Sequence, residues 1–391
     1  MNICIYENNK ETLLPITYTK NISELKIGGL SNYSRIKMLF PDSNIHVAFD
    51  ENSFSENSNI IVNSRVVLDT DILNKIKQSS GNIAYFSADK FVAGVISAQA
   101  GIQNLDFNSI ENKQYWKQIG CSLCDIEVNY IEYLWDIIKA NPKAIENDFN
   151  LLKSDCEIND TNVELIGDKS NLYIGKNVKF YGKIVINVEA GPVFINDNVT
   201  IKAPSVIEGP VFIDSNSLID CAKIRKNTTI GEFCRISGEV EDSIFHSYTN
   251  KHHTGFIGHS YIGSWVNMGA LTTNSDLKNN YHSVKVYNCG EFKDTQELKI
   301  GCFVGDFTTF GIGSLIPTGA NIGACCNVFG GGLIERYYPL FKWHNTNKNI
   351  CEQYKIEKFK DTISIMMQRR GKDFKELEKK IEELFEISKN E

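Results

Sequence analysis

Aliphatic residues return at every sixth position along the stretch 193–332. One unbroken series is Ile195, Ile201, Ile207, Ile213 and Ile219, and a second is Val304, Phe310, Ile316, Ile322 and Val328. A period of six matches neither an α-helix, whose period is about 3.6 residues, nor a half-buried strand of period two. It is typical of a flat-sided coil in which each short strand sends one large side chain inward. The pattern therefore predicts a hexapeptide-repeat parallel β-helix.

The hydrophobic pattern before this stretch is that of a small α/β domain. Asn2–Tyr6 predicts a first strand, and a loop that contains Asn8, Asn9 and Lys10 follows its C-terminal end. Ligands bind at this end of the strands in open α/β sheets. Further strand-like runs lie at 45–49, 59–68 and 83–86, and the segment 72–77 between them has a weaker helical pattern.

Helical spacing of apolar residues appears twice more. It covers residues 127–152, where Pro142 is expected to break the run into two helices. It returns in the charged tail 350–391, which Gly371 divides and which keeps an apolar stripe in its second segment. Glycines at 330–332 suit the point where the chain leaves a regular coil. We therefore expect an α/β domain at 1–153, a β-helix at 154–332 and a helical tail at 333–391.

The six-residue rhythm fails between Leu271 and Leu298, where a polar insertion interrupts the coil. Long polar loops in an otherwise regular scaffold are more often functional than structural. Four of the seven histidines lie just before it, at positions 246, 252, 253 and 259. Clustered imidazoles favour a catalytic site over a structural role. A metal site at His252, His253 and His259 is the rival, although adjacent residues of a coil point to opposite faces and no carboxylate pattern completes the set.

Composition narrows the class of protein. A hydrophobic fraction of 42% and a charged fraction of 23% are those of an ordinary globular protein. The net charge of −7 argues against broad nucleic-acid binding. No signal peptide and no apolar run of membrane-spanning length are present, so we expect a cytoplasmic protein without a membrane partner. Among eleven cysteines, only Cys121 and Cys124 have zinc-site spacing, and reduced thiols are the simpler interpretation.

The run from Lys251 to Ala270 resembles the acetyltransferase half of the bifunctional GlmU enzymes. That family has a motif N-H-L-[ST]-Y-L-G followed by D-N-V-N-I-G-A-G-T. This chain has His-His-Thr-Gly-Phe-Ile-Gly at 252–258 and Ser-Trp-Val-Asn-Met-Gly-Ala-Leu-Thr at 264–272.

The whole chain is more similar still to a divergent, short-headed branch of that family. Its opening motif, L-L-P-L-T-[FY]-T-R-P-[VI]-x-E-L-R-x-G, is matched at 13–28, and its loop S-N-L-K-N-x-Y is matched at 275–281. The resemblance implies a Rossmann-like nucleotidyltransferase head, a left-handed parallel β-helix and a homotrimer. The left hand comes from the resemblance alone, since the general crossover rule favours the right hand.

The resemblance also assigns roles to residues. It places His253 on the catalytic base, and an imidazole suits the removal of a proton from an amine near neutral pH. The implied substrate contacts are Arg225, Lys251, Asn267, Asn280, Tyr281, Lys20 and Lys26, and the implied coenzyme A contacts are Ala270, Ala324 and Arg336. Two positions depart from the family pattern, since Phe256 replaces a substrate-binding tyrosine and Asp306 replaces a serine that contacts the thioester partner.

The head departs further from the pattern of sugar nucleotidyltransferases. Their glycine-rich G-x-G-T-R loop, whose amides cradle phosphate, is replaced by Glu-Asn-Asn-Lys-Glu at 7–11. Lys20 and Lys26 stand where the branch has arginine, which keeps the charge and loses the bidentate grip. The ligands of the implied Mg²⁺ stay unassigned, and Asp69 and Asp89 are better interpreted as loop carboxylates.

The expected function is thus a sugar-1-phosphate nucleotidyltransferase joined to an amino-sugar-phosphate N-acetyltransferase. The specific reactions implied are UTP with N-acetylglucosamine 1-phosphate, and acetyl-CoA with glucosamine 1-phosphate. Two alternatives stay open. One is a nucleotidyltransferase for another sugar phosphate with a non-catalytic β-helix as trimer scaffold, and the other is a non-catalytic trimeric binding protein.

Overall fold

The computed structural model describes residues 2–48, 60–96, 105–154 and 160–390. The chain forms two compact units. The first contains 1–10, 21–26 and 30–136, and the second contains 11–20, 27–29 and 137–391. Two short segments of the chain, 11–20 and 27–29, thus group with the second unit, as do residues 137–153.

The first unit is built on a six-stranded mixed sheet. Its strand order is β2-β1-β3-β5-β4-β6, and β5 alone is antiparallel to its neighbours. Buried aliphatic side chains on both faces of β1 and β3 account for the continuous apolar runs in these strands. The strands are β1 (Asn2–Tyr6), β2 (Asn44–Ala48), β3 (Ile60–Asn63), β4 (Ile83–Ser87), β5 (Lys90–Val95) and β6 (Ser122–Asp125), and the helices are α1 (Asn32–Leu39), α2 (Thr70–Gln78) and α3 (Lys113–Gln118).

The α/β prediction for this unit is confirmed, with differences in detail. The predicted strand at 59–68 ends at Asn63, and the predicted positions 49 and 59 lie outside the described residues. Strand β5 was not predicted. It follows β4 through the two-residue turn Ala88-Asp89, in which Ala88 has a φ of 51°. A hairpin turn without glycine or asparagine lacks the usual sequence signal.

Helix α4 (Leu134–Leu152) continues through Pro142 as a single helix. The prediction of two helices is therefore wrong. Proline in a helix interior costs about 3 kcal/mol. The C-terminal half of α4 offsets this cost by packing Ile145 and Phe149 onto Phe194 and Phe212 of the β-helix.

The second unit is a parallel β-helix of three sheets, as predicted, and it is of the left-handed hexapeptide type. Equivalent residues of successive coils pair in register, for example Val193–Ile195 with Val211–Ile213. One sheet contains β7 (Val163–Ile166), β9 (Lys179–Tyr181), β10 (Ile184–Asn187), β12 (Thr200–Lys202), β13 (Ser205–Glu208), β15 (Leu218–Ile224), β17 (Arg235–Glu241), β19 (Asn250–Lys251), β20 (Phe256–Gly258), β22 (Asn267–Met268), β27 (Thr309–Phe310), β30 (Asn327–Phe329), β33 (Lys342–Asn345) and β34 (Ile350–Gln353).

The other two sheets complete the coil. The second contains β8 (Leu172–Ile174), β11 (Val193–Ile195), β14 (Val211–Ile213), β16 (Thr228–Ile230), β18 (Ile244–Phe245), β21 (Tyr261–Ile262), β26 (Cys302–Val304), β29 (Ala320–Ile322) and β32 (Tyr337–Tyr338). The third contains β23 (Thr273–Asn274), β28 (Ser314–Ile316) and β31 (Gly332–Leu333). The polar insertion forms the hairpin β24 (Lys285–Asn288) and β25 (Glu291–Asp294).

One corner of the coil is occupied in every turn by a residue in the left-handed backbone region. Asn177, Asn198 and Asn216 hold this position first, with φ near 60°. Asparagine tolerates this region better than other residues with a side chain. In the later turns the position is held by Phe233, Tyr248, Trp265, Phe307 and Phe341, with Cys325 between the last two. Consecutive rings stack, with centroids 4.9 Å apart for Phe233–Tyr248 and 4.3 Å for Tyr248–Trp265.

The tail covers this aromatic corner. It forms α5 (Ile356–Gln368) and α6 (Lys375–Ser388), with Gly371 between them at a φ of 67°. Phe359 and Ile381 pack in the same cluster as Trp265 and Phe341. The helical tail with a break at Gly371 thus has the predicted form, although its first residues form β34. The glycines at 330–332 make a turn within the coil, whose parallel strands continue to Asn345 before the antiparallel strand β34.

Within the described part of the chain, no helix has both the length and the apolar character needed to span a membrane.

Candidate functional sites

His253 lies on an exposed corner of the β-helix. The same corner in the next coil contains Ala270, since the amide of Leu271 donates to the Thr254 carbonyl at 3.0 Å. The structure therefore brings together two residues predicted from separate motifs, the base and a coenzyme A contact. Among the described residues, no hydrogen-bond partner of the His253 ring is found, and its closest ring neighbour is His252 at 5.6 Å between centroids. The imidazole is free to meet a ligand.

Lys251 lies inside the coil, two residues before His253. It pairs with Ile236 in the preceding coil and occupies an inward position that aliphatic residues hold elsewhere. The side chain is 2% exposed, and Nζ donates to the carbonyls of Ser237 at 2.7 Å and His253 at 2.8 Å. Burial lowers the pKa of Lys251 to about 8. The predicted substrate contact does not fit this position, and the lysine instead holds the backbone of the His253 corner.

The six-residue rhythm predicts that Lys251 points into the coil. The rhythm of six runs Phe245, Lys251 and Ile257, so the lysine falls on the core position of its strand. Buried lysines without a carboxylate partner are rare because desolvation of the ammonium is costly.

The other clustered histidines have partners of their own. Nε2 of His252 lies 3.1 Å from Asp220. His259 bonds Asp276 through Nδ1 at 2.8 Å. Burial alone would raise the pKa of Asp276, but its hydrogen bond to His259 helps to hold that pKa below its usual value. His246 is buried, and its Nδ1 is 2.9 Å from the Ser264 hydroxyl. Of these four, only His253 presents an unengaged imidazole at the surface.

The polar insertion starts next to the histidine cluster. Its first strand is fixed by Asn274, which accepts from the Gly258 amide at 2.8 Å and donates to the Gly258 carbonyl at 2.9 Å. The bond between Asp276 and His259 adds a second anchor. Asn280 and Tyr281 lie beyond these anchors on an exposed loop, and Tyr281 is 69% exposed. Both predicted contacts are thus accessible.

Asn267 lies on the sheet face that leads to the His253 corner. It is half-buried, pairs with Asn250 of the preceding coil, and accepts a hydrogen bond from the Asn250 amide at 2.7 Å. The two N–H donors of its own amide group are not used in this bond.

Arg225, the predicted partner of the sugar phosphate, is surrounded by carboxylates. Its guanidinium lies 3.2 Å from Glu239 and 3.6 Å from both Glu208 and Glu241. The charge of Glu241, followed by those of the other two, raises the pKa of Arg225 above its ordinary value. A phosphate would have to compete with these three anions.

The remaining predicted coenzyme A contacts lie in different environments. Ala324 is fully buried in the cluster beneath the C-terminal helices. Arg336 is half-buried, and its guanidinium lies 4.5 Å from the ring centroid of Phe292 in the insertion hairpin. Its Nη2 donates to the Lys285 carbonyl, and burial lowers its pKa. Nε of Arg336 has no partner among the described residues.

The two lysines of the opening motif belong to different units. Lys20 folds with the β-helix and forms an ion pair with Asp306, which is 4% exposed. Asp306 also accepts from Thr19 and from the Ser264 amide. Lys26 is half-buried in the first unit, where it forms a β-bridge with Ser31.

The loop after β1 closes the carboxyl edge of the first unit's sheet. Glu7 is buried and accepts from the amides of Ile22 at 3.0 Å and Ser23 at 2.9 Å. The Arg65 guanidinium donates to the carbonyls of Asn8 and Asn9 and holds the loop in place. Glycines are not needed here because side chains fix the backbone.

Glu111 is a half-buried carboxylate at this edge that the sequence pattern does not predict as a site residue. Glu111 accepts from the Asn8 amide group at 2.8 Å and from the Phe91 amide at 3.2 Å, and burial raises its pKa. Perturbed carboxylates at a sheet edge are candidates for function. No simple signal marks Glu111, since it follows a short 3₁₀ turn rather than a strand.

The residues considered for metal binding have other roles. Asp69 caps α2 by accepting from the Ile72 amide at 2.8 Å, and Asp89 lies on a turn 3.7 Å from Lys113. Cys121 is buried whereas Cys124 is exposed. In the described segments, no three acidic, histidine or cysteine side chains lie close enough together to hold a metal ion.

Sequence comparison supplies relatives for both units. Residues 3–157 match the family described as Sugar nucleotidyl transferase. A protein of Sulfurisphaera tokodaii named bifunctional sugar-1-phosphate nucleotidylyltransferase/acetyltransferase is 28% identical over 60% of this chain and 50% of its own length. The bifunctional protein GlmU of Wigglesworthia glossinidia brevipalpis is 31% identical over 42% of this chain and 32% of its own length. The chain thus spans half or less of these curated relatives.

Among solved structures, a UDP-N-acetylglucosamine acyltransferase aligns with 52% of this chain and 77% of its own, at 13% identity and a TM-score of 0.23.

Proposed function

We propose that this chain, a GlmU-like protein whose N-terminal segment matches the sugar nucleotidyl transferases, is a bifunctional sugar-1-phosphate nucleotidyltransferase and acetyltransferase. The first unit transfers a nucleotidyl group to a sugar 1-phosphate. The nucleotide donor of this reaction is UTP. The β-helix acetylates an amino-sugar phosphate, with glucosamine 1-phosphate and acetyl-CoA as substrates.

The observation that supports the acetyltransferase most directly is the exposed corner at His253. Its imidazole is unengaged, whereas the other clustered histidines are buried or bonded to protein groups. Histidine is the side chain that most often acts as a general base near neutral pH.

In this reaction, His253 removes a proton from the amine as nitrogen attacks the thioester carbonyl. The carbonyl oxygen becomes an oxyanion, and the C–S bond breaks when the oxyanion collapses. The thiolate leaves as coenzyme A, and the new bond is an amide. Backbone amides at the coil corner are the donors available to the oxyanion. The amide donors of Asn267 orient the sugar on the adjoining face.

Lys251 is a positioning residue in this scheme. It fixes the carbonyl of His253 from inside the coil, so the corner cannot relax when substrate binds. Positions held to within about 0.5 Å are what proximity catalysis requires.

The first unit offers a polar edge for nucleotidyl transfer. Asn8 and Glu111 lie at the C-terminal ends of its strands, where α/β sheets bind ligands. Mg²⁺ usually keeps several waters and binds one or two carboxylates together with substrate phosphates. The described residues present one half-buried carboxylate, Glu111, at this edge and no cluster of ligands, so they do not define a magnesium site. We therefore assign no step to the ion.

A row of exposed apolar side chains supports assembly into a homotrimer. Leu271 is 61% exposed, Ile312 73%, Leu315 43% and Leu333 71%. They follow the His253 corner and the third sheet from coil to coil, since Leu315 pairs with Leu333. Aligned exposed apolar residues mark interaction surfaces, and a second copy would bury them beside His253.

A nucleotidyltransferase with a non-catalytic β-helix is the second candidate. Two observations favour it. The position that the resemblance assigns to the thioester partner is Asp306, whose carboxylate is already bonded to Lys20. In addition, Ala324 is covered by the C-terminal helices.

A paired assay on His253→Ala separates the candidates. Pyrophosphate release is measured with UTP and N-acetylglucosamine 1-phosphate, and thiol release is measured with acetyl-CoA and glucosamine 1-phosphate. We expect H253A to lose thiol release by about 100-fold or more and to keep pyrophosphate release. Thr254→Ala is the matched control because Thr254 is exposed on the same corner and has no titratable group. Wild-type protein that releases no thiol but releases pyrophosphate, with this or another sugar 1-phosphate, would support the second candidate. Protein that releases neither product with a panel of nucleoside triphosphates and sugar 1-phosphates would rule out both.

A further inference from the structure

Three arginines from two distant parts of the chain meet on one face of the β-helix. Arg235 lies on β17, and Arg369 and Arg370 directly follow the end of α5. All three line one cleft, with a volume of about 420 Å³, between the coil and the helix. This volume is within the range of pockets that hold small-molecule ligands.

None of the ion pairs formed within the described residues involves these arginines, whereas Arg225 on the same sheet has three carboxylates. The helix dipole explains cations at the end of α5. It does not explain Arg235, which comes from a strand more than a hundred positions earlier in the chain. The arginines also oppose one another, because burial and then the charge of Arg235 lower the pKa of Arg370. Because no described carboxylate pairs with these arginines to offset their repulsion, the cleft is suited to bind an anion.

The rest of the lining is rich in hydrogen-bond donors. Arg235, Asn250, Asn267 and Thr309 occupy equivalent outward positions in successive coils. The Asn250 amide donates to the Asn267 side-chain oxygen, so the two N–H donors of Asn267 are not used in that bond, and both residues line the cleft. Guanidinium and amide donors together match the oxygens of a phosphate, which accept several hydrogen bonds at once.

One wall of the cleft is aromatic. The rings of Tyr248 and Trp265 stack 4.3 Å apart and line it beside the arginines. Lys372 adds a fourth positive charge, with Nζ 5.8 Å from the Tyr248 centroid. An apolar surface next to a cationic one suits a molecule with a phosphate at one end and a ring at the other.

We propose that this cleft binds the phosphate of a phosphomonoester, with Arg235, Arg369 and Arg370 as its ligands. Asn267 lines the cleft and lies three residues before Ala270 on the His253 corner, so the bound molecule extends toward that corner. Two substrates of the proposed acetyl transfer have such a phosphate, namely the amino-sugar phosphate and coenzyme A through its ribose phosphate. The choice between them rests on the proposed function, whereas phosphate binding does not.

Calorimetric titration with inorganic phosphate tests the binding site itself. We expect Arg235→Gln and Arg370→Gln each to weaken binding by about tenfold, since each removes a charge-assisted contact. Arg235→Lys keeps the positive charge and loses the two-pronged guanidinium contact, so its phosphate affinity should fall between those of the wild type and Arg235→Gln. Lys379→Gln, at a side chain that is 91% exposed on α6, controls for the loss of one positive charge. Thermal midpoints check that each variant is folded.

Two further pairs of ligands identify the source of the phosphate. If the cleft holds coenzyme A, R235Q should abolish the difference in affinity between coenzyme A and its 3′-dephospho form. If it holds the sugar, R235Q should abolish the difference between glucosamine 1-phosphate and glucosamine. Phosphate affinity of folded R235Q, R235K and R370Q within twofold of K379Q would overturn the proposal. His253→Ala should bind phosphate like the wild type, so a failure of acetyl transfer and a failure of this site stay distinguishable.

Discussion

The early coils of the β-helix, residues 163–227, and its late coils, residues 228–345, share one architecture and differ in nearly every irregular feature. In the early coils the inward positions are aliphatic, the left-handed corner is asparagine, and Arg225 is balanced by carboxylates. In the late coils an inward position holds Lys251, the corner is mostly aromatic and covered by helices, and Arg235 forms no ion pair with any described residue. The early coils are a regular scaffold, and the late coils are irregular at the places where ligands are expected to bind.

The difference also explains why similar residues behave differently. Arg225 and Arg235 both point outward from the same sheet. Arg225 lies between Glu208 and Glu241 in the neighbouring coils, whereas Arg235 lies between Leu218 and Asn250. Neighbours in adjacent coils, rather than neighbours in sequence, decide whether an arginine is neutralised or available.

The largest effect is expected from placing a lysine in the early core. Ile219→Lys puts a charge at the inward position that Lys251 holds later, but without carbonyls arranged to receive it. We expect a loss of at least about 4 kcal/mol in the free energy of unfolding. Ile219→Met, which keeps an apolar side chain of similar volume, should cost less than about 1.5 kcal/mol. Urea unfolding measures both, and equal stability of I219K and I219M would show that the early core has the same tolerance as the late one.

Exchanging the corner residues should have the next largest effect. Trp265→Asn keeps a residue that accepts positive φ and removes the ring on which the C-terminal helices pack. We expect a loss of about 3 kcal/mol. Asn198→Ala at an early corner should cost only about 1 kcal/mol, the strain of alanine in the left-handed region. Thermal unfolding compares the two, and a larger loss for N198A would contradict the role assigned to the aromatic corner.

The buried ammonium of Lys251 predicts a pH dependence. Its folded pKa of about 8 lies below the ordinary value of 10.5, so between these values the native state binds fewer protons than the unfolded state. Stability therefore rises as pH rises through this window, by up to about 3 kcal/mol. The free energy of unfolding of wild type and Lys251→Met, measured from pH 7.5 to 10.5, should converge or cross as pH increases. Parallel curves would mean that the ammonium is not desolvated.

The smallest effect concerns the two outward arginines. Arg225→Gln leaves three glutamates facing one another and should cost up to about 1 kcal/mol at low salt. Arg235→Gln relieves repulsion and should be neutral or slightly stabilising. The difference should shrink as salt is raised, because exposed charges are screened. Equal losses in both variants would show that Arg235 has a carboxylate partner in the folded protein.

The repeat was the part of this fold that the sequence predicted best. A period of six has one structural solution, and the inward series from Ile195 to Ile219 and from Val304 to Val328 both lie in the core. The helical tail is also predictable from the sequence, because its apolar stripe and Gly371 are local signals. The continuity of α4 through Pro142 cannot be predicted from local sequence, because packing on Phe194 and Phe212 outweighs the local preference for a break.

The candidate sites divide in the same way. His253 and Ala270 were predicted from motifs, and the structure places them on one corner of adjacent coils. Arg235, Arg369 and Arg370 were missed because their proximity depends on how the tail folds back on the coil. The resemblance assigns Lys251 to the substrate, although its place in the rhythm of six puts it inside the coil.

His253 is the proposed base of acetyl transfer, and chemical rescue tests this role directly. Thiol release from acetyl-CoA is measured for wild type and His253→Ala, without and with added imidazole. We predict that H253A is slowed by about 100-fold or more and that imidazole restores a substantial part of the rate, because it supplies the missing base. An H253A rate equal to the wild-type rate, or a slowed rate that imidazole leaves unchanged, would contradict the role assigned to this corner.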